Sequence, residues 1–120
     1  MQLKFHYPDS GFSIAELVDE NYVTSQPQHV LDIFGNLMLT DCDRLIIHER
    51  NLHADFFDQK TRLAGDVLQK FSNYRVKLAI VGIFAKYNSK SLQDFIVESN
   101  KSRTVFFTDN LSSALMRLES

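Results

Sequence analysis

Residues 78–85 read Leu-Ala-Ile-Val-Gly-Ile-Phe-Ala, eight residues without a charged side chain and without apolar–polar alternation. The run is far too short to span a bilayer, which needs about 20 apolar residues. It is bounded by Lys77 and by Lys86. A short apolar run of this kind fits a strand with both faces covered, the central position of a parallel sheet. The strand is expected over residues 76–83, and such a sheet needs helices on its faces.

The flanking segments provide them. Residues 44–48 are short and rich in β-branched residues and read as a second buried strand. Between the two strands, apolar positions recur at helical spacing at Leu63, Ala64, Val67, Leu68 and Phe71. That helix is expected to begin near Phe56 and Phe57, with the Asp55 carboxylate capping it. Gly65 lies inside it, and its expected use is close approach of the helix to the sheet. Upstream, Val30, Leu31, Phe34, Leu37 and Met38 share one helix face. Ser25 before Pro27 is the expected N-cap, and Gly35 weakens that helix by about 1 kcal/mol relative to Ala.

Downstream, Leu92, Phe95 and Ile96 mark an inward helix face, capped by Ser89 or by a Ser91/Asp94 capping box. Residues 104–108 form the last strand. Asp109 is the expected cap of a final helix carrying Leu111, Ala114, Leu115 and Leu118. At the other end Leu3, Phe5 and Tyr7 alternate with Lys4 and His6. The turn residues Pro8-Asp9-Ser10-Gly11 lead into a second strand over 12–18, which predicts an antiparallel hairpin. Val23 and Thr24 add a brief extended piece.

The resulting order is β-β-α-β-α-β-α-β-α. It implies a single α/β domain over residues 1–120, with a mixed, mostly parallel sheet of four to five strands, right-handed crossovers and about four flanking helices. At 120 residues, 44% apolar and 23% charged, the chain suffices for one domain with its own core. The single Cys42 rules out an internal disulfide framework and suits a reducing compartment; it reads as a semi-buried small residue. The start Met1-Gln2-Leu3-Lys4 has no apolar signal core, so the cytoplasm is the expected location.

A net charge of −2 and a pI near 6.0 argue against nucleic acid as a partner. Basic residues are densest at Lys60, Arg62, Lys70, Arg75 and Lys77, where Asp66 interrupts them; this reads as a solvated face. Neither phosphate-binding glycine motif is present, and nothing calls for a cofactor.

The β-β-α-β-α-β-α-β-α order resembles the STAS domain, the sulfate-transporter and anti-sigma-factor-antagonist fold. Phe106-Phe107-Thr108-Asp109-Asn110 leading into Ala114-Leu115 looks like the last strand and helix of such domains. More specific words also occur: Phe56-Phe57-Asp58-Gln59-Lys60, Leu63-Ala64-Gly65, Asn73-Tyr74-Arg75, 77–82 (KLAIVG) and 91–100 (SLQDFIVESN). Through these the chain resembles the bacterial domain-of-unknown-function family 4180 over roughly residues 44–118. That resemblance carries no activity. The STAS resemblance implies a regulatory module that binds a protein. In anti-sigma antagonists of this type a phosphorylated Ser or Thr precedes a Gly-Leu pair at the start of the helix after the third strand. Here Leu63 fits the Leu, Arg62 replaces the Gly, and Thr61 falls at the phosphorylated position. A helix beginning near Asp55 would place Thr61 inside it instead.

His48, Glu49, His53 and Asp55 crowd one loop, but their spacing matches no zinc signature, so no metal site is expected. Ligands of parallel sheets gather beyond the carboxyl ends of the strands. That rule selects His48, Glu49, Phe84, Lys86, Tyr87, Thr108 and Asp109. Glu98, Ser99, Asn100 and Arg103 read as a hydrogen-bonded helix end. The binding candidates are therefore His48, Glu49, His53, Asp55, Asp58, Thr61, Lys86 and Asp109, with Thr61 the phosphorylation candidate and no catalytic residue assigned. The leading expectation is a regulatory, protein-binding domain with no membrane partner. A small enzyme or ligand sensor using the His48 to Asp55 loop is the alternative, and a small-molecule ligand and a homodimer are both compatible with the chain.

Overall fold

The computed structural model describes residues 1–119. The chain runs through β1 (Leu3–His6), β2 (Ile14–Leu17), α1 (His29–Met38), β3 (Arg44–His48), α2 (Leu63–Asn73), β4 (Lys77–Val81), α3 (Lys90–Lys101), β5 (Val105–Thr108) and α4 (Leu111–Leu118). This is the order implied by the sequence. The strands form one sheet in the order β1-β2-β3-β4-β5. Only β1 and β2 are antiparallel, and the other three pairings are parallel. Gly11 closes the hairpin turn with φ of 90°, its amide donating to Pro8 O at 3.2 Å. A lone parallel bridge pairs Thr24 with Leu52. Among the described residues no helix is long and apolar enough to cross a membrane.

Alternation within each strand divides the core in two. On one face Ala15, Leu17, Leu45, Ile47, Leu78, Ile80, Val105 and Phe107 pack against α1, α2 and α3. On the other face Ile14, Ile46, Ala79 and Phe106 meet Ala114 and Leu118 of α4. The second face therefore has one helix where the first has three.

Several local expectations are corrected. The long helix does not begin near Asp55. Ala54–Phe57 and Gln59–Thr61 are separate 3-10 turns, and α2 begins only at Leu63. Between Phe57 and Leu63 the side chains are all polar or charged, so positions three and four after Phe57 offer no apolar anchor. Asp55 caps nothing with its side chain. His53 Nδ1 instead accepts from the Asp55 amide at 3.0 Å. Ser25 is not the cap of α1, which begins at His29 without a side-chain cap. Met38 is 76% exposed, and Ile33 takes the buried place on that face. Ser89 caps α3, accepting from Leu92 N at 3.2 Å. Asn110 rather than Asp109 caps α4, accepting from Ser113 N at 2.8 Å. The second strand and the central strand are each shorter than expected.

Gly65 faces solvent, and a Cβ built there would meet nothing within 4 Å. The close-approach glycine is Gly82. A Cβ at Gly82 would lie 2.7 Å from both Cβ and Oε1 of Glu49, and 2.9 Å from Phe84 Cζ. The two free edges of the sheet also differ. The Asn100 side chain lies along β5, accepting from Phe107 N at 2.7 Å and donating to Phe107 O at 3.3 Å. The outer edge of β1 carries no such bond among the described residues. Cys42 is buried, its thiol within 3.4 Å of Ser13 O and 3.3 Å of Arg44 O.

Gly82→Ala is expected to destabilise the fold by about 1–3 kcal/mol, because the Glu49 Cβ is anchored to backbone and cannot swing aside. Urea unfolding checks this; a variant as stable as its parent would show that the two loops separate at no cost.

Candidate functional site

Glu16 is the one acid inside the four-residue strand Ile14-Ala15-Glu16-Leu17. It points to the second sheet face, beyond the reach of α4, and is 7% exposed. A buried carboxylate needs donors. The neighbouring strands supply one each: His6 Nε2 of β1 lies 2.8 Å from Oε1, and His48 Nε2 of β3 lies 2.7 Å from Oε2. Burial raises the Glu16 carboxyl, but the hydrogen bonds from His48 and His6 outweigh it and hold the group below its ordinary value. An ionised carboxylate only accepts, so both imidazoles carry their proton on Nε2 toward it.

Glu49, the next residue after β3, is used differently. Oε2 accepts from Lys86 Nζ at 2.7 Å and from the Tyr87 hydroxyl at 2.5 Å, and Oε1 accepts from Ile83 N at 3.2 Å. Burial again raises this carboxyl, and the Lys86, Tyr87 and Ile83 donors bring it below its usual range. Burial and the bond to Glu49 together push the Tyr87 hydroxyl upward. Glu49 thus ties the loop after β4 to the end of β3, and Gly82 lets it come close enough to do so. The Tyr87 ring stacks on Phe57 with centroids 4.6 Å apart, and Phe84 bridges Phe57 to Phe107 at 5.9 and 5.2 Å.

The remaining candidates do not join these groups. His53 and Asp55 are exposed and bonded to each other; since Nδ1 accepts from the Asp55 amide, it has no proton for the Asp55 carboxylate 3.6 Å away. Asp58 accepts from Lys60 N at 3.0 Å. The exposed Thr61 hydroxyl reaches the carbonyls of Asp55 at 2.5 Å and Asp58 at 2.8 Å, and accepts from Leu63 N at 3.2 Å. Asp109 lies at the far end of the sheet beyond β5, where it accepts from the Asn110 side chain at 2.7 Å. Among the described residues no three His, Cys, Asp or Glu side chains are placed to hold a metal ion.

Residues 9–118 match the family described as Domain of unknown function (DUF4180). The chain belongs to that family. No curated protein and no solved structure matches it. The DUF4180 match takes in every candidate residue and also Glu16, but stops short of His6.

Three residues of this DUF4180 domain escaped the sequence reading. Glu16 and His6 complete the His48 cluster, and a lone acid in a buried strand beside a His on the polar side of the first hairpin strand was the available signal. Asn51 is fully buried, donating to Asp19 O and Tyr22 O at 2.9 Å each and accepting from His48 N at 3.2 Å. It carried no signal, since an isolated Asn after a strand reads as a loop. The DUF4180 domain also has a cavity of about 630 Å³ at the amino ends of its strands, lined by Phe12, Met38, Cys42 and Tyr74 among others; none of the predicted residues lies there.

Because the folded-state pKa of Glu16 is depressed, its contribution to stability is present above the unfolded value and is lost as pH falls through the folded one. Glu16→Gln is expected to cost about 1–3 kcal/mol at about pH 5, with the gap to wild type closing below the ordinary carboxylate pKa of about 4. Urea unfolding of both proteins across that range checks it; a gap that ignores pH would mean the charge of Glu16 contributes nothing.

Proposed function

We propose that this DUF4180 domain is a regulatory, STAS-like module of the bacterial cytoplasm that binds a protein partner across its 3-10 turns and the start of α2, with phosphorylation of Thr61 as the switch. The observation that carries this reading is the backbone at Arg62, whose φ is 60°. Only glycine takes that left-handed conformation without strain, at a cost of roughly 1–2 kcal/mol for other residues. The resemblance to anti-sigma antagonists has a glycine at this position, followed by a Leu and preceded by the phosphorylated residue. Leu63 is the first residue of α2, so Thr61 stands outside the helix at its mouth.

The chemistry of a phosphate at Thr61 follows from its bonds. Esterification removes the hydroxyl proton that holds the Asp55 and Asp58 carbonyls, loosening the turns, and adds about two negative charges beside the amino end of α2. Arg62 and Lys60 flank the site. The alternative, an enzyme or ligand sensor in the His48 to Asp55 loop, needs convergent groups. There His48 is bonded to Glu16, Glu49 to Lys86, and His53 to Asp55. That dispersal favours the partner-binding reading.

The test is to purify the protein from its own cells, map phosphopeptides, and measure partner affinity for wild type, Thr61→Ala and Thr61→Glu. Thr61→Ala, which loses the same hydroxyl bonds but gains no charge, is expected to hold the partner with an affinity between wild type and Thr61→Glu, the last being about tenfold weaker than wild type. Unmodified Thr61 together with identical binding by both variants would sink the proposal.

A further inference from the structure

Alternation places Arg44, the first residue of β3, and Lys77, the first residue of β4, on the second face of the sheet with Ile46 and Ala79. The two are register partners in neighbouring parallel strands. Like charges side by side on one face oppose strand pairing. Two more cations join them. Arg103 stands in the turn before β5, and Arg117 lies in the last turn of α4, its guanidinium 4.2 Å from the centre of the Phe106 ring. Cations from four separate stretches of a chain with net charge −2 thus gather near the amino ends of β3, β4 and β5. Lys77 registers the crowding: burial lowers its ammonium pKa, and repulsion from Arg44 and Arg103 lowers it further, against the pull of Asp43. Asp43 is itself largely exposed, its carboxylate 3.8 Å from Arg44 Nε.

These cations border a space. A cavity of about 410 Å³ is lined by Lys77, Ser102, Arg103, Phe106 and Arg117, with no acidic side chain among its described lining residues. That volume falls in the range of about 300–1,000 Å³ for small-molecule pockets. Arg117 keeps its charge while it donates to Asn100 O at 2.9 Å. Arg44, Lys77 and Arg117 have other contacts within the protein, and a ligand would add to these. Two guanidinium forks and an ammonium suit a phosphate, which carries about two charges at neutral pH and takes paired hydrogen bonds from Arg. We infer that this cavity binds the dianionic phosphate group of a small molecule, held by Lys77, Arg103 and Arg117. The site lies on the sheet face opposite α2 and does not depend on the Thr61 reading.

The assignment is tested by amide NMR titration of the full chain near neutral pH with phenyl phosphate, inorganic phosphate and phenyl sulfate. Phenyl sulfate has the shape of the phosphate ester but a single charge. Saturable shifts centred on Lys77, residues 102–106 and Arg117 are expected for phenyl phosphate, with phenyl sulfate about fivefold weaker. Inorganic phosphate separates the two sources of the group: equal affinity assigns the free ion, and weaker binding assigns an ester whose body also contributes. Arg103→Gln, a change at an exposed turn position, is expected to weaken phenyl phosphate about fivefold while the ligand-free protein unfolds at an unchanged temperature. Lys90→Gln removes the same charge at the opposite end of the sheet and is expected to leave the affinity unaltered. The absence of saturable shifts at these residues, phenyl sulfate binding as tightly as phenyl phosphate, or Arg103→Gln weakening it no more than Lys90→Gln would each overturn the assignment.

Discussion

Every parallel pairing in the sheet joins strands that are consecutive in the chain, and the rest of the molecule depends on that constraint. Crossovers of one hand between sequential neighbours must all run over the same face. Three helices therefore crowd one side, and only the segment after β5 can cover the other. That coverage lies over β4 and β5 and extends to Ile46 and Ile14, leaving the β1 end and the carboxyl ends of β2 and β3 to whatever side chains the strands carry. A residue such as Glu16 is tolerable there only because two imidazoles from flanking strands lie against it.

The same constraint explains what the sequence disclosed and what it hid. Periodicity reports which face of an element is buried, so α2 was legible through Leu63, Ala64, Val67 and Phe71, and β3 through its own five residues. It says little about where a helix begins when buried side chains precede it in another conformation. Phe56 and Phe57 are both buried, but in a 3-10 turn, and their burial alone cannot distinguish that turn from the first turn of a helix. The glycines show a related limit. Gly65 stood out because it interrupts a helix, whereas Gly82 is inconspicuous within an apolar run; the demand for its missing side chain comes from Glu49, thirty-three positions away.

His48, Glu49, His53 and Asp55 read as one loop cluster because they are close in sequence. Strand alternation disperses them. His48 faces the second side of the sheet; Glu49, one residue on, turns toward the loop after β4; His53 and Asp55 lie in solvent. Residues adjacent in a chain are separated by the pleat, while Glu16 and His48, thirty-two positions apart, are joined by it. The carboxyl-edge rule selects Asp109, which does line a cavity there, though the capping role expected of it belongs to Asn110.

The amide of Asn100 has a consequence for assembly. By occupying both the donor and the acceptor of Phe107 it makes β5 a poor template for another chain, while β1 keeps its outer row of backbone groups available among the described residues. A sheet with two open edges can polymerise without limit. One with a single open edge can join only to the same edge of a second molecule, and that union is closed by symmetry at two chains. A side chain on a helix thereby limits growth: pairing of two copies through their β1 edges closes at a ten-stranded pair.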